Sequence, residues 1–296
     1  MRCPSFFIWE ARRSLSLAGG GGRALPPVAR EQMVGTVQRI DLNADVGESF
    51  GPYTIGHDTA VLRAVTSANV ACGFHGGDPS VMRRTVRLAV AQRVALGAHP
   101  GFPDLQGFGR REIRLSAQAV EDLVAYQIGA LAGIAASENA RLHHVKPHGA
   151  LYNMVARERE LADAVARAVA GVDATLVLYG LSGSCLLEAG EAAGLRVAAE
   201  VFADRAYNPD GSLVPRGQPG AVIDDPTAVV ERAVRLVQDG SVAARGGETL
   251  VLRRDTICLH SDTPGAGDLA AQLRTGLGAA GIRVLPFVTS GSSPGR

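Results

Sequence analysis

The stretch Ile40-Asp41-Leu42-Asn43-Ala44-Asp45 alternates apolar and polar side chains with a period of two, which is typical of a β-strand with two different faces. The apolar face is expected to pack against helices, so the polar face points into the interior of a closed sheet. Burying carboxylates and an amide costs free energy unless they have partners. We therefore expect Asp41, Asn43 and Asp45 to bind a ligand or to form a structural hydrogen-bond network.

Short apolar strands alternate with amphipathic helices along the rest of the chain, which favours parallel βαβ units. Asp78-Pro79 and Asp225-Pro226 each place an N-cap acid before a first-turn proline. The number of units predicts an α/β, TIM-barrel-like fold, with a doubly wound open sheet as the alternative. No GxGxxG follows the first strand, which weakens that alternative. The predicted strands are 39–44, 66–71, 94–98, 141–147, 174–179, 195–201, 255–260 and 282–287, and the predicted helices are 58–64, 79–93, 116–137, 157–169, 183–192, 226–238 and 266–279.

The chain is expected to consist of one barrel domain with short extensions at both ends. Residues 1–38 contain the glycine run 19–22 and two consecutive prolines, and we expect a disordered N-terminal extension. Met33 lies just before the ordered pattern, so translation starting there is an alternative. The barrel domain is predicted at 39–288 and a flexible tail at 289–296.

Composition argues against several classes of partner. The 296 residues carry a net charge of +1 without a basic block, so neither nucleic acid nor an anionic membrane is expected as a partner. The apolar runs are shorter than the roughly 18 residues that a membrane span needs. The four cysteines form no CxxC pair, which argues against a zinc knuckle and fits a reducing cytoplasm.

Lys146 is the only lysine among 30 basic residues. A lysine amine is compact and its pKa shifts readily on burial, whereas a guanidinium is planar and stays protonated. We interpret Lys146 as having a task that arginine cannot perform, with chance as the alternative. The sequence also lacks a Gly-Lys pair, so it contains no Walker A loop for ATP.

Histidines stand where successive strands end, which is where β/α barrels carry their sites. His75 follows the second strand and His99 ends the third. Two histidines at neighbouring strand ends favour a functional role over a structural one. Together with Asp45 they are also a usable ligand set for Zn²⁺ or another divalent ion.

The fourth strand carries the strongest motif, His143-His144-Val145-Lys146-Pro147-His148-Gly149. Alternation places His144, Lys146 and His148 on one face and His143 on the other. Near the acids of the first strand, Lys146 is expected either to be a charged anchor for an anion or to have a depressed pKa for proton transfer.

Two loops have the character of covers over the site. The first is 101–111, and the second is the long polar loop that follows the sixth strand. The second loop begins at Asp204-Arg205. This pair is expected either to fix a substrate carboxylate through the guanidinium fork or to be a structural ion pair.

Five strings resemble the LamB/YcsF lactam-utilisation family, in the expected order over about residues 39–287. They are Asp41-Leu42-Asn43-Ala44-Asp45-Val46-Gly47-Glu48, Ala68-Asn69-Val70-Ala71-Cys72-Gly73-Phe74-His75, Gly97-Ala98-His99-Pro100-Gly101-Phe102-Pro103-Asp104, Val145-Lys146-Pro147-His148-Gly149-Ala150-Leu151-Tyr152-Asn153 and Phe202-Ala203-Asp204-Arg205. The departures are the N-terminal extension and Gly76, where the family pattern has alanine.

The resemblance implies a seven-stranded β/α barrel similar to those of the glycoside hydrolase/deacetylase superfamily. It also implies the role of the A subunit of the bacterial ATP-dependent 5-oxoprolinase, which opens 5-oxoproline to L-glutamate. The implied partners are the B and C subunits, of the carboxylase/allophanate-hydrolase type, and these would use the ATP. A five-membered lactam is an unstrained amide, so coupling its opening to ATP makes thermodynamic sense.

A mechanism can be stated as a hypothesis on these residues. One of Asp45, His75 or His99 activates water as the general base, while Lys146 and His148 stabilise the oxyanion or a leaving phosphate. The expected substrate-binding residues are Asp41, Asn43, Asn69, Tyr152, Asn153, Asp204, Arg205 and His260. Two alternatives stay open: a metal-dependent amide hydrolase or deacetylase, which would lack the HxxxH pair of polysaccharide deacetylases, and a non-catalytic lactam-binding subunit.

Overall fold

A computed structural model describes residues 38–262 and 265–287. The flexible tail expected at 289–296, and the N-terminal extension apart from Gln38, lie outside the described residues. The predicted domain limits therefore stay predictions.

Seven parallel strands close into a barrel within the described residues. The ring runs β1-β2-β3-β4-β5-β6-β9 and closes where β9 pairs with β1, with Thr256 opposite Asp41. The expected TIM-barrel-like α/β fold with seven strands is confirmed, and the open-sheet alternative is wrong. The strands are β1 (Arg39–Val46), β2 (Ser67–Ala71), β3 (Ala95–His99), β4 (His144–Val145), β5 (Val177–Leu181), β6 (Arg196–Phe202), β7 (Ser241–Ala243), β8 (Thr249–Val251), β9 (Thr256–His260) and β10 (Arg283–Val284).

The helices surround the barrel and begin at the predicted caps. Asp78 accepts hydrogen bonds from the backbone N–H groups of Ser80 and Val81, and Asp225 accepts one from that of Thr227. The helices are α1 (Asp58–Val61), α2 (Pro79–Ala91), α3 (Ala117–Ser137), α4 (Gly149–Arg157), α5 (Arg159–Asp173), α6 (Cys185–Ala192), α7 (Pro226–Asp239) and α8 (Ala266–Ala279).

Three predictions of local structure were wrong in detail. The helix expected at 157–169 is α5, which begins at Arg159, and the separate helix α4 before it was not predicted; Glu158 takes an extended conformation with φ −111° and ψ 99° between the two. The strands expected at 141–147 and 282–287 are only two residues long each. The antiparallel hairpin of β7 and β8 was not predicted, because its alternation covers three residues on each side.

The apolar core lies between the barrel and the helices, while the barrel interior is largely polar. The outward side chains of β1, such as Ile40 and Leu42, are fully buried in that core. A small separate cluster of Val177, Tyr179 and Ala198 lies inside the barrel, and Phe287 packs against it. The polar interior is therefore closed at one end by this apolar cluster and opens toward the carboxyl ends of the strands.

Helix α3 is long and apolar enough to cross a membrane by length and composition alone, although no 18-residue run of purely apolar residues exists. In the structure it packs against α2, α5 and β3 through Val120, Val124 and Leu131. Its Gln127 is buried and hydrogen-bonds the backbone of Gly101 at 2.9 Å. These contacts indicate a core helix of the barrel.

Candidate active site

The lowest polar layer of the barrel interior is centred on Asp41. Its carboxylate accepts hydrogen bonds from Thr66, Ser67 and Thr256 hydroxyls at 2.6–2.7 Å, and from the Tyr179 hydroxyl at 3.3 Å. Burial raises the pKa of Asp41 above its ordinary value, although these hydrogen bonds oppose the shift. Asp41 is thus enclosed by a hydrogen-bond network at the bottom of the interior.

Lys146 occupies the middle layer and makes four polar contacts. Its Nζ lies 2.8 Å from Glu200 Oε1 and 3.0 Å from Asp45 Oδ1. It also donates to Asn43 Oδ1 at 3.1 Å and to Cys258 Sγ at 2.9 Å. The ammonium thus joins β1, β4, β6 and β9 inside the barrel.

The charges around Lys146 decide its protonation. Burial lowers the pKa of Lys146, but Asp45, Cys258 and Glu200 outweigh that effect and hold the pKa well above its ordinary value. For Asp45, burial raises the pKa, and the opposing charges of His99 and Lys146 bring it well below the usual range. Of the two roles expected for Lys146, the geometry favours the permanently charged anchor over the proton-transfer group.

The histidine of β4 that lies deepest has a structural environment. His144 Nε2 lies 2.7 Å from Asn69 Oδ1, and the His144 ring stacks on Tyr179. This fit depends on Gly97 in the neighbouring strand, since a Cβ there would lie 2.1 Å from His144 Nε2. His143 points to the opposite face and is half-buried, as the alternation predicted.

The top layer is a cluster of histidines with one carboxylate. His99 Nε2 lies 3.3 Å from Asp45 Oδ2 and 3.0 Å from His148 Nδ1. The His75 ring stacks on the His148 ring with 3.6 Å between centroids. Glu48 Oε1 lies 3.4 Å from His75 Nε2 and 3.5 Å from His148 Nδ1.

Burial dominates the electrostatics of this top layer. It lowers the pKa of His75 and of His148 well below the ordinary value, and the neighbouring histidines add to the effect. It raises the pKa of Glu48 well above the ordinary value, with Asp45 adding to that shift. Glu48, His75, His99 and His148 place ligand atoms within 4.8 Å of one another and could together hold a metal ion.

Of the three metal candidates from the sequence, His75 and His99 fall in this group. Asp45 falls in a second group with Cys258 and His260.

A cavity of about 560 Å³ opens above these layers, at the carboxyl ends of the strands. Eight of the residues singled out from the sequence line it. They are Asp45, His99, Lys146, His148, Tyr152, Asn153, Arg205 and His260. Five others, Asp41, Asn43, Asn69, His75 and Asp204, lie behind this wall and are buried.

Arg205 has a structural partner set that the sequence did not suggest. Its guanidinium donates to the backbone carbonyls of Val214 at 2.6 Å and Ala221 at 3.3 Å, which ties down the loop above the cavity. Asp204 instead lies 3.5 Å from His260 Nδ1. No ion pair joins Asp204 to Arg205 within 38–262 and 265–287, so that alternative was wrong.

Sequence reasoning missed two acids of the site. Glu200 is fully buried, pairs with Lys146 and accepts a hydrogen bond from the Tyr152 hydroxyl at 2.6 Å. A lone acid in the otherwise apolar stretch 197–202 was the available signal. Glu48 lies two residues after β1 and is also buried; its place at the end of the first string that resembles the family was the available signal.

The departure at Gly76 has a structural counterpart. A Cβ at this position would lie 2.7 Å from the backbone oxygen of Glu48, so glycine lets the loop after β2 approach the loop after β1 closely. An alanine at this position would require one of the two loops to shift. The close approach brings Glu48 and His75 together.

The model of the LamB/YcsF family matches residues 40–291. A protein from Tolumonas auensis, named as the A subunit of 5-oxoprolinase, is 56% identical over 246 residues, which cover 83% of this chain and 98% of the relative. One with the same name from Pyrococcus abyssi is 54% identical over 249 residues, covering 84% and 98%.

A solved structure, the lactam utilization protein from Thermus thermophilus, superposes with a TM-score of 0.80 at 49% identity. The match covers 84% of this chain and 100% of that protein. The family model spans the barrel with its strand-end residues. The chain belongs to the LamB/YcsF family.

Proposed function

We propose that this chain is the A subunit of a multi-subunit 5-oxoprolinase, which cleaves 5-oxoproline to L-glutamate with hydrolysis of ATP. The observation that carries the proposal is the identity of 54–56% to proteins of that name over 98% of their length. The region matched by the family model includes the strand ends that line the cavity, which supports a shared reaction.

The cavity has the chemistry that opening of an amide requires. The charged Lys146 ammonium lies at its base and can stabilise an oxyanion or a phosphate as negative charge develops. Asp45 lies 3.3 Å from His99 at the same wall and is the candidate base for water activation. His148 lies beside them and completes the proposed catalytic set, with His75 acting from behind the wall.

Substrate binding is proposed at the upper wall. Tyr152, Asn153 and His260 line the cavity there and offer hydrogen-bonding groups for a small polar ring. Arg205 also faces the cavity, and two backbone carbonyls accept hydrogen bonds from its guanidinium. The remaining guanidinium N–H groups are proposed to donate to a substrate carboxylate. Asp41, Asn43, Asn69 and Asp204 would support this wall from behind.

ATP is proposed to act on the partners. The sequence has no Gly-Lys pair and so no Walker A loop, which supports activation of the lactam elsewhere in the complex. The proposed partners are the B and C subunits, of the carboxylase/allophanate-hydrolase type. The activated lactam would then be hydrolysed at the barrel mouth.

The test is reconstitution with the B and C subunits. Glutamate formation and 5-oxoproline-dependent ATP hydrolysis are measured with the chain, without it, and with Lys146→Met. We expect glutamate only with the intact chain. Equal glutamate formation without the chain would refute the proposal. Glutamate formed by the chain alone without ATP would favour the alternative of a directly acting amide hydrolase, and full activity of Lys146→Met would favour a non-catalytic binding role.

A further inference from the structure

His99 Nε2 and His148 Nδ1 face each other at 3.0 Å. Backbone carbonyls on the far side of each ring fix the tautomers of both histidines. His99 Nδ1 lies 2.7 Å from the carbonyl oxygen of Lys146, and His148 Nε2 lies 2.7 Å from that of Phe108. A carbonyl oxygen only accepts hydrogen bonds, so each of these nitrogens carries the proton of its ring. The remaining nitrogens, His99 Nε2 and His148 Nδ1, therefore present lone pairs to each other at 3.0 Å when both rings are neutral. A positive charge between them, either a proton or a metal cation, would relieve the repulsion.

A third possible metal-binding atom, from Glu48, lies close to these two nitrogens. Glu48 Oε1 lies 3.5 Å from His148 Nδ1, is buried, and has no hydrogen-bond partner among the described residues. An unpartnered buried carboxylate oxygen is costly, so its position indicates a ligand. Ligand atoms around a tetrahedral Zn²⁺ with bonds of roughly 2.0–2.1 Å are about 3.3 Å apart. The distances from His148 Nδ1 to His99 Nε2, 3.0 Å, and to Glu48 Oε1, 3.5 Å, lie on either side of that value.

We propose that Glu48, His99 and His148 bind a divalent transition-metal ion of the Zn²⁺ type. Two imidazoles and one carboxylate are a donor set that such ions accept, and a set of three protein ligands leaves one position open. His99 and His148 line the cavity, so the open position faces the cavity. The backbone carbonyls that hold both rings have the role of outer partners, which orient ligating histidines in metal sites.

His75 belongs to this site as a positioning residue. Its ring is parallel to that of His148, with an interplanar angle of 2° and 3.6 Å between centroids. An imidazole binds a metal in its own plane. An ion in the plane of His148 therefore lies out of the plane of His75, and His75 fixes the ring of His148 by stacking.

The test uses the full, tag-free chain on its own, so its outcome is independent of the proposed reaction. Metal content after purification is measured by elemental analysis. Binding of Zn²⁺ to the chelator-treated chain is measured by calorimetry, and binding of Co²⁺ by its visible absorption. We expect one ion per chain. A chain that takes up neither ion from a molar excess overturns the proposal and leaves a proton shared between His99 and His148.

Variants separate the ligands from their neighbours. Glu48→Gln and His99→Gln are expected to weaken Zn²⁺ affinity by about 100-fold or more, beyond the effect typical of an outer partner. His75→Phe keeps a ring on His148 without a lone pair and should retain the ion. The half-buried His143→Ala is the matched control and should bind as the wild type does. Wild-type affinity in Glu48→Gln and His99→Gln, with folding verified by circular dichroism, overturns the assignment of ligands.

Discussion

Lys146 Nζ lies 2.8 Å from Glu200 Oε1, and the two side chains are 3% and 0% exposed. Four acceptors contact an ammonium that has three protons, so its neighbours fix its position while its charge still faces the cavity. The compact head group matters here, since a planar guanidinium is larger and offers its donors in a fixed fork.

Replacing Lys146 should therefore reduce stability in two distinct ways. Lys146→Met leaves Asp45 and Glu200 without their cation and is expected to lower the free energy of unfolding by about 3–5 kcal/mol. Lys146→Arg keeps the charge but overfills the interior, at a cost of about 1–3 kcal/mol. Urea unfolding of the three chains measures both effects. If Lys146→Arg has the stability of the wild type and forms glutamate at a near-normal rate in the reconstituted complex, lysine has no special role at this position.

The hydroxyl of Tyr152 should matter through Glu200. Tyr152→Phe leaves Glu200 Oε2 without this 2.6 Å hydrogen bond, and a buried acceptor left unsatisfied costs about 1–3 kcal/mol. Tyr126→Phe is the matched control, because Tyr126 is 64% exposed and the change should stay within about 0.5 kcal/mol. Thermal unfolding of both variants is the measurement, and equal effects would contradict the assigned role of the hydrogen bond.

Gly97 should not tolerate a methyl group. The added Cβ of Gly97→Ala would meet His144 Nε2 at 2.1 Å inside the barrel, so we expect a loss of about 1–3 kcal/mol or more. Gly129→Ala makes the same chemical change on α3, where a Cβ meets nothing within 4 Å, and should stabilise the helix by about 0.5–1 kcal/mol. In denaturant unfolding, the free energy of unfolding should fall for Gly97→Ala and rise for Gly129→Ala. An unchanged free energy of unfolding for Gly97→Ala would contradict the described packing of His144.

Asp41 should make stability depend on pH in a defined direction. Its pKa is raised in the folded chain, mainly by burial, above the unfolded value near 3.8. The folded state thus takes up a proton at a pH where the unfolded state does not. As pH falls from neutral toward that unfolded value, the wild type should gain stability relative to Asp41→Asn. Urea unfolding of both chains across this pH range gives the difference between their free energies of unfolding. A difference that stays constant or shrinks as the pH falls would contradict a raised pKa.

The interior face of β1 and the importance of Lys146 could be predicted because both are local signals. Period-two alternation fixes which side chains of 40–45 point inward, and a single lysine in an arginine-rich chain is visible from composition. The layer of each residue could not be predicted in the same way. Asp41 and His99 lie on similar polar faces, but only the barrel geometry places Asp41 at the enclosed bottom and His99 on the cavity wall.

The two missed acids show the same limit. Glu200 could have been found as a charged residue within an apolar strand, because such a residue must have a partner. Glu48 lies beyond the end of β1, so strand alternation does not mark it, and only the string that resembles the family includes it. Its approach to His148 depends on how the loops after β1 and β2 pack at Gly76.

The closing pair of β1 and β9 has a consequence for the order of folding. Asp41 and Asn43 bond to Thr256, more than two hundred positions further along the chain, and these contacts form only when the ring closes. Contacts between such distant segments form slowly, because the long intervening chain must first be ordered. Until then the carboxylates and Lys146 stay hydrated, which opposes collapse of a partly assembled barrel onto its own polar interior. We therefore expect the polar layers of the barrel interior and the native topology to appear in a single, late step.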